Sequence, residues 1–241
     1  MTYCLALRLD EGLFFMSDTR TNAGVDNVST FRKLHVLKPT DDRIFVIQSA
    51  GSLATTHEVL DRIRGDLARD GESLATVPRL FEAALYLGRL SREVVATHEA
   101  ALGSAATATF ILGGQITGEC ADILLVYPEG NYIRASEELP FLQIGETKYG
   151  KFLLELAVRS QVDLATAAKI ALSSMVSTAR ANLSVGPPYD AGVYLDGSLD
   201  VLETRIDADS PYLAELDAVW ARHLVAAIHE LPPIPRELRP A

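Results

Sequence analysis

The chain has 241 residues and a formal net charge of −10, with 48% hydrophobic and 22% charged residues. A chain of this length and composition buries a sizeable core without disulfide or metal cross-links. The acidic balance argues against nucleic acid and anionic membranes as main partners, because both are bound by clustered lysine and arginine.

The first fifty residues predict four antiparallel strands. The segments "TYCLALRL" and "LFFMSD" flank a turn at residues 10–12 and predict a hairpin. A polar segment rich in turn formers, "TRTNAGVDNVST", follows and predicts a loop. "KLHVLKP" and "RIFVIQSAG" then predict the third and fourth strands.

The rest of the chain alternates helix pairs with strand pairs. Apolar residues at helical spacing predict two helices within residues 53–94, followed by strands in "TATFILGGQ" and "CADILLVYPEG". A second helix pair follows, and its second member is capped by Asp163. "DAGVYLDGSLDVLETRI" predicts a last hairpin. An apolar helix then runs from Tyr212 to about residue 229.

This order of elements predicts an α+β fold in which two antiparallel sheets stack and helix pairs cover their outer faces. We expect a main domain at residues 1–207. The final helix and a proline-rich tail form an appendage at residues 208–241.

The residue types that bind metals or form disulfides are few. Cys4 and Cys120 both lie in apolar, strand-like runs, which predicts two buried reduced thiols. The five histidines never take the spacing of a metal site, so we expect no metal and no other cofactor. No signal peptide and no apolar run of about 18 residues is recognisable, which predicts a cytoplasmic protein.

Thr2 is a candidate nucleophile. A threonine hydroxyl attacks poorly unless a base takes its proton. If Met1 is removed, the α-amine of Thr2, with an ordinary pKa of about 8, becomes a base on the same residue. The alternative is an ordinary strand residue, and Thr2 alone does not decide between the two.

The residues around Thr2 favour the catalytic interpretation. The first hairpin brings Asp18 back towards the start of the chain, and Lys33 opens the third strand. A lysine beside a carboxylate can polarise a hydroxyl, which an arginine does less well. Gly51, between the fourth strand and the first helix, would let a backbone N–H face a cleft as an oxyanion hole requires. A solvated surface cluster and a glycine needed only for the turn are the alternatives.

Four segments resemble the proteasome β-type N-terminal-nucleophile hydrolases, and among them the bacterial Anbu family of ancestral β-subunits. These segments are "MTYCLAL", "SDTRTNAG", "FRKLHV" and "QSAGSLATT". The resemblance covers roughly residues 2–205 and implies a four-layer αββα sandwich.

The resemblance also implies roles for individual residues. Thr2 would attack an amide carbonyl, with its own α-amine as general base, and form an acyl-enzyme ester that water hydrolyses. Asp18 and Lys33 would be the supporting catalytic pair. The Gly51 N–H would donate to the oxyanion, and Arg20 would brace Asp18 and its loop.

The chain departs from the proteasome β pattern around this site. Asn22, where many proteasome subunits carry threonine, would lie along the substrate strand. Glu146 stands where a serine near the nucleophile is expected. Asn182 and Ser184 are the nearest candidates for an aspartate and a serine before the last hairpin, and Ser184 is therefore a candidate supporting residue. These changes leave the class of chemistry unchanged.

The sequence thus predicts a threonine-type peptidase or amidohydrolase that cleaves peptide or related amide bonds. It would act as a homo-oligomer, a ring or a ring-like coil, without nucleic acid or membrane partners. Two alternatives stay open: a non-catalytic scaffold or assembly subunit that retains Met1, and an amidase of narrow specificity. No sequence feature marks a docking site for an ATPase.

Overall fold

The computed structural model describes residues 1–22, 28–235 and 237. Within these residues the chain divides into two units, Met1–Asp207 and Ala208–Ala241. The division into an independent domain at residues 1–207 and an appendage at residues 208–241 stays a prediction.

Helices and strands follow one another as the sequence alternation predicts. Their order is β1 (Tyr3–Leu9), β2 (Gly12–Asp18), β3 (Arg20–Asn22), β4 (Val28–Thr30), β5 (Leu34–Thr40), β6 (Arg43–Gly51), α1 (Leu53–Leu67), α2 (Leu80–Leu102), a short 3-10 helix (Gly103–Ala106), β7 (Ala108–Ile116), β8 (Asp122–Val126), β9 (Tyr132–Arg134), β10 (Phe141–Gly145), α3 (Lys148–Ala157), α4 (Leu164–Ala181), β11 (Tyr189–Leu195), β12 (Val201–Ile206) and α5 (Pro211–His229).

The first sheet has the strand order β10-β1-β2-β11-β12, and all its neighbouring strands are antiparallel. Its central hairpin turns at Gly12, which has a φ of +147°. A Cβ there would lie closer to the Tyr194 carbonyl oxygen than real Cβ atoms approach, so only glycine fits. The side chains of β2 are buried on both faces of the sheet, as are nearly all those of β1.

The second sheet has the order β5-β6-β7-β8-β9, again antiparallel. Buried side chains of the two sheets meet in one apolar cluster. It includes Cys4, Ala6 and Phe15 of the first sheet and Val46, Ile111 and Ile123 of the second.

Helices cover parts of both sheets. Apolar side chains of α1 and α2 form a second buried cluster with Phe45, Ile47 and Phe110 of the second sheet. Helix α4 contacts β1 and β2 of the first sheet. Asp163 caps α4 as expected, since its carboxylate accepts a hydrogen bond from the Thr166 N–H at 2.9 Å.

The mixed α+β class and the main strand and helix pairs are confirmed, and three local expectations are corrected. The polar segment expected as a loop contains β3 and β4, which pair with each other. Strands β9 and β10 were not expected. Cys4 is buried and free as expected, but Cys120 is exposed because it lies in the turn between β7 and β8. Among the described residues, no helix has both the length and the hydropathy needed to cross a membrane.

Candidate active site

The candidate site is organised around a buried ion pair. Asp18 is the last residue of β2, and Lys33 immediately precedes β5. The Lys33 Nζ donates to Asp18 Oδ1 at 2.7 Å, and their side chains are only 5% and 0% exposed. The same ammonium donates to the Arg20 carbonyl oxygen at 2.6 Å. Two acceptors therefore fix the direction of the lysine side chain.

Asp18 also ties together the chain segments around it. Its carboxylate accepts hydrogen bonds from the Tyr3 N–H at 2.9 Å and from the Gly186 N–H at 3.4 Å. Burial raises the pKa of the Asp18 carboxyl, and the Lys33 ammonium and the backbone donors oppose that rise. The ion pair thus supplies the positive charge that a buried carboxylate needs.

Thr2 lies directly before β1 and faces a small cleft. Its carbonyl oxygen accepts a hydrogen bond from the Glu146 N–H at 2.7 Å, which extends the pairing of β1 with β10 by one residue. The cleft is lined by Thr2, Thr21, Lys33, Ser49, Gly51 and Thr56. The hydroxyl-bearing residue and the lysine of the ion pair therefore share one cleft.

Gly51 ends β6 at the edge of this cleft. Its φ is +109°, and a Cβ would lie 2.5 Å from the Thr107 carbonyl oxygen, so the position favours glycine. Helix α1 begins two residues later, capped by the Ser52 hydroxyl, which accepts from the Thr55 N–H at 3.2 Å. The positive end of a helix dipole thus lies beside the cleft, which suits an anionic intermediate.

The three other expected residues belong to the chain segments around the ion pair. The Arg20 guanidinium donates to the carbonyl oxygens of Leu183 at 2.9 Å and Val185 at 3.5 Å, so it holds the segment leading to Gly186. The Ser184 N–H donates to the Asn182 Oδ1 at 3.0 Å. The backbone of Asn22 pairs with Val28, and its side chain lies outside the described residues.

The structure adds a contact that the sequence analysis did not anticipate. Glu146 is buried, and its Oε2 accepts a hydrogen bond from the Asn182 Nδ2 at 2.9 Å. In the sequence, both residues stand out only as departures from expected ones. Their contact follows from β10, which places Glu146 opposite Thr2, and from the end of α4, which places Asn182.

The arrangement suits nucleophilic attack by a hydroxyl. A buried ammonium held by a carboxylate can polarise a neighbouring Oγ, and backbone N–H groups at the Gly51 turn can face a developing oxyanion. Within residues 1–22, 28–235 and 237, no group of three histidine, cysteine, aspartate or glutamate side chains is suited to hold a metal ion.

Comparisons with known proteins give strong structural matches. No protein-family model matches the chain, and no curated protein matches it. Among solved structures, the chain is 42% identical to Anbu (ancestral beta-subunit) from Yersinia bercovieri, with a TM-score of 0.91 over 97% of this chain and 99% of that one. It is 41% identical to a Gly-1 mutant of Anbu from Hyphomicrobium sp. strain MC1, with a TM-score of 0.91 over 98% and 100%. It is 38% identical to the protein in the helical assembly of the Anbu complex from Pseudomonas aeruginosa, with a TM-score of 0.93 over 99% and 100%.

Proposed function

The chain belongs to the Anbu family of proteasome-like ancestral β-subunits, and from that membership we propose that it is an N-terminal-threonine hydrolase of peptide or related amide bonds. The observation that carries the proposal is the buried Lys33–Asp18 pair, whose lysine lines the same cleft as Thr2.

The proposed reaction begins once Met1 has been removed and Thr2 carries a free α-amine. The amine takes the proton of the Thr2 hydroxyl, and the Oγ attacks the carbonyl carbon of the substrate amide. The tetrahedral oxyanion accepts a hydrogen bond from the Gly51 N–H. As the C–N bond breaks, the α-ammonium donates its proton to the leaving amine. A water molecule, deprotonated by the same α-amine, then hydrolyses the Thr2 ester and releases the acid.

Lys33 and Asp18 act in this scheme without transferring the proton themselves. The Lys33 ammonium lowers the cost of negative charge on the Thr2 Oγ, because opposite charges attract strongly in a site removed from water. Asp18 fixes the direction of the lysine side chain, and its hydrogen bond from the Tyr3 N–H fixes the residue after the nucleophile.

The finer description of the fold is part of the same proposal. A four-layer αββα sandwich, the N-terminal-nucleophile hydrolase fold, would require a helix layer on each outer face of two stacked sheets. The apolar cluster shared by the sheets and the packing of α1 and α2 on the second sheet support it. The contacts of α4 with β1 and β2 support the remaining layer.

We further propose that the active form is a homo-oligomer, a ring or a ring-like coil, located in the cytoplasm. A relative 38% identical to this chain has been solved as a helical assembly of the Anbu complex, which supports self-association. A repeated head-to-tail contact between identical subunits produces either a closed ring or an open helix, depending on whether the rotation closes.

Intact-mass spectrometry before and after exposure to a peptide epoxyketone tests the proposed function. This reagent forms a ring adduct only with a residue that carries both a hydroxyl and a free α-amine. We expect a mass without Met1 and one adduct per chain, absent in Thr2→Ala and retained in Thr97→Ala, which alters an exposed threonine on α2. Retained Met1 would contradict the proposal and favour a scaffold subunit.

A further inference from the structure

Glu146 is a buried carboxylate, 7% exposed, that lies directly opposite Thr2. Strands β1 and β10 pair antiparallel with Tyr3 opposite Gly145, so the next opposed pair is Thr2 and Glu146. The Glu146 N–H donates to the Thr2 carbonyl oxygen at 2.7 Å, which confirms that the pairing reaches this far.

The strand geometry directs the nitrogen of Thr2 towards β10. In an antiparallel hydrogen-bonded pair, the N–H and C=O of each residue point to the partner strand. The next residue points the opposite way, and the Tyr3 N–H does so by donating to Asp18 on β2 at 2.9 Å. The α-nitrogen of Thr2 therefore points away from Asp18 and towards the backbone of Glu146, whose carbonyl oxygen can accept one of the three protons of a freed α-ammonium and leave two for the carboxylate.

In a regular antiparallel pair, the side chains of directly opposed residues lie on the same face of the sheet. Residues directly opposite in an antiparallel pair have Cβ atoms roughly 4.5–5.5 Å apart, which is within reach of a glutamate side chain. Gly145 lets the two backbones come this close, since a Cβ at that position would collide with the Thr2 carbonyl group.

The carboxylate is held from the other side by an amide. The Asn182 Nδ2 donates to Glu146 Oε2 at 2.9 Å, and the Asn182 Oδ1 accepts from the Ser184 N–H at 3.0 Å. Because both ends of the amide are engaged, Asn182 has a fixed orientation and presents a donor to Glu146. The carboxylate of Glu146 is therefore held in one position and does not rotate into solvent.

We propose that Glu146 is a positioning residue that accepts a charge-assisted hydrogen bond from the freed α-ammonium of Thr2, with Asn182 fixing its carboxylate. This inference rests on the proposed function, because the ammonium exists only after Met1 has been removed. Glu146, which stands where a serine is expected, would thus interact with the α-amine of Thr2, whereas Lys33 and Asp18 interact with its hydroxyl.

The charges around the amine then oppose one another. Lys33 disfavours the ammonium, while Asp18 on β2 and Glu146 after β10 favour it, and the buried Cys4 thiol on β1 is neutral because burial raises its pKa. Because Lys33 and Asp18 form an ion pair, their opposite effects largely cancel, and the Glu146 carboxylate decides the direction of the change. The amine is thus held protonated, and the free base that takes the hydroxyl proton forms at a higher pH than in an exposed N-terminus.

The ionisation of the amine is measurable without a substrate. We would follow trace acetylation of the intact protein by acetic anhydride as a function of pH, reading the N-terminal peptide by mass spectrometry. An exposed α-amine is half-deprotonated at about pH 8. We expect a wild-type midpoint above that, and a midpoint about one pH unit lower in Glu146→Gln, a tenfold change in the acidity of the ammonium.

Two further variants separate charge from structure. Glu146→Asp keeps the carboxylate and is expected to retain at least half of the upward shift. Glu155→Gln removes an exposed carboxylate of α3 that pairs with Lys151, and its midpoint is expected to match the wild type. A fold disturbed by substitution at residue 146 would lower the midpoint of Glu146→Asp as much as that of Glu146→Gln, which would overturn the inference.

The outcomes also distinguish this inference from the proposed function. If Met1 is absent and the midpoint of Glu146→Gln equals that of the wild type, the role of Glu146 is overturned while the hydrolase proposal stands. If Met1 is retained in the intact mass, both are overturned together.

Discussion

Lys33 Nζ lies 2.7 Å from Asp18 Oδ1, and both side chains are almost completely removed from solvent. A charge buried to this degree is tolerated because its partner and neighbouring donors replace the lost water. Asp18 has such donors from two backbone N–H groups, whereas Lys33 depends on Asp18 and one carbonyl oxygen. The pair is therefore a structural element as well as a candidate catalytic one.

Removing the lysine alone should destabilise the protein. We expect Lys33→Met to lower the free energy of unfolding by about 3 kcal/mol at pH 7.5, because it leaves the Asp18 carboxylate buried without its cation. Urea denaturation followed by circular dichroism measures this. The loss should shrink at low pH, where Asp18 can be protonated in the folded state.

A double variant provides the control for that effect. Asp18→Asn keeps an acceptor for the Tyr3 N–H but removes the charge. Lys33→Met combined with Asp18→Asn should therefore be more stable than Lys33→Met alone, by about 1–2 kcal/mol. A double variant less stable than the single one would show that the charge of Asp18 is not the source of the instability.

The turn at Gly51 gives a second prediction. We expect Gly51→Ala to lower the free energy of unfolding by about 2–3 kcal/mol, because it combines a strained φ of +109° with a clash against the Thr107 carbonyl oxygen. Gly71→Ala is the matched control. Its φ of +138° is also strained, but no atom lies within 4 Å of the added Cβ. A loss of about 1 kcal/mol is expected there.

Epoxyketone labelling of the same two variants tests whether the conformation of the Gly51 turn positions the oxyanion donor, because alanine keeps the backbone N–H but strains the turn. We expect labelling to be at least tenfold slower in Gly51→Ala than in the wild type, and unchanged in Gly71→Ala. Equal rates in all three proteins would show that labelling does not depend on the conformation of the Gly51 turn.

The lowered pKa of His35 should make the free energy of unfolding depend on pH. Burial lowers the pKa of His35 to about 4, and the nearby positive charges of Arg32 and Arg64 add to this; its Nε2 is buried without a hydrogen-bond partner. Between the ordinary pKa of about 6.5 and the folded value, the unfolded chain binds a proton that the folded chain does not. Stability is therefore complete above that window and falls as the pH drops through it.

The expected contribution of His35 is about 1–2 kcal/mol between pH 7 and pH 4, after allowance for its partial exposure. Urea midpoints of the wild type and His35→Leu across this range measure it, and the variant should show the flatter dependence. His98→Gln is the control, because His98 is more exposed and pairs with Glu58. If His35→Leu and the wild type lose stability in parallel, another group is responsible.

Much of this architecture is predictable because it is encoded locally. The alternation of β1 and β2 around Gly12 fixes a register that places Ser17 opposite Cys4, so Asp18 necessarily returns to the start of β1. Helical periodicity and the Asp163 cap likewise identify α1, α2 and α4. The neighbourhood of Thr2 and Asp18 therefore follows from short-range pattern, whereas Lys33 precedes a strand of the other sheet and needs the packing of the two sheets to reach Asp18.

The contact between Thr2 and Glu146 does not follow from local pattern. Strand β10 has only five residues and follows a polar segment, so its own sequence signal is weak. Its partner β1 is more than 130 residues away in the chain, and only the tertiary fold brings the two together. The contact of Asn182 with Glu146 could not be predicted for the same reason, because the Asn182 amide reaches Glu146 only once α4 has packed onto the sheet.

Two helical glycines with opposite surroundings give the last prediction. Gly150 on α3 packs against the Tyr3 and Ser174 hydroxyls, which hydrogen-bond each other at 2.7 Å, and Gln143 donates to the same Tyr3 hydroxyl. A Cβ at residue 150 would overlap both oxygens. Because Tyr3 follows Thr2, we expect Gly150→Ala to cost about 1–3 kcal/mol of stability and to slow epoxyketone labelling of Thr2.

Gly65 on α1 is the matched control, since no atom lies within 4 Å of a Cβ added there. Alanine is the better helix former, so Gly65→Ala should stabilise the protein by about 0.5–1 kcal/mol and leave labelling unchanged. The two substitutions should therefore change the free energy of unfolding with opposite signs in urea denaturation. Only Gly150→Ala should slow the labelling of Thr2. If both substitutions stabilise, the Tyr3–Ser174 contact yields without cost, and α3 does not constrain the start of β1.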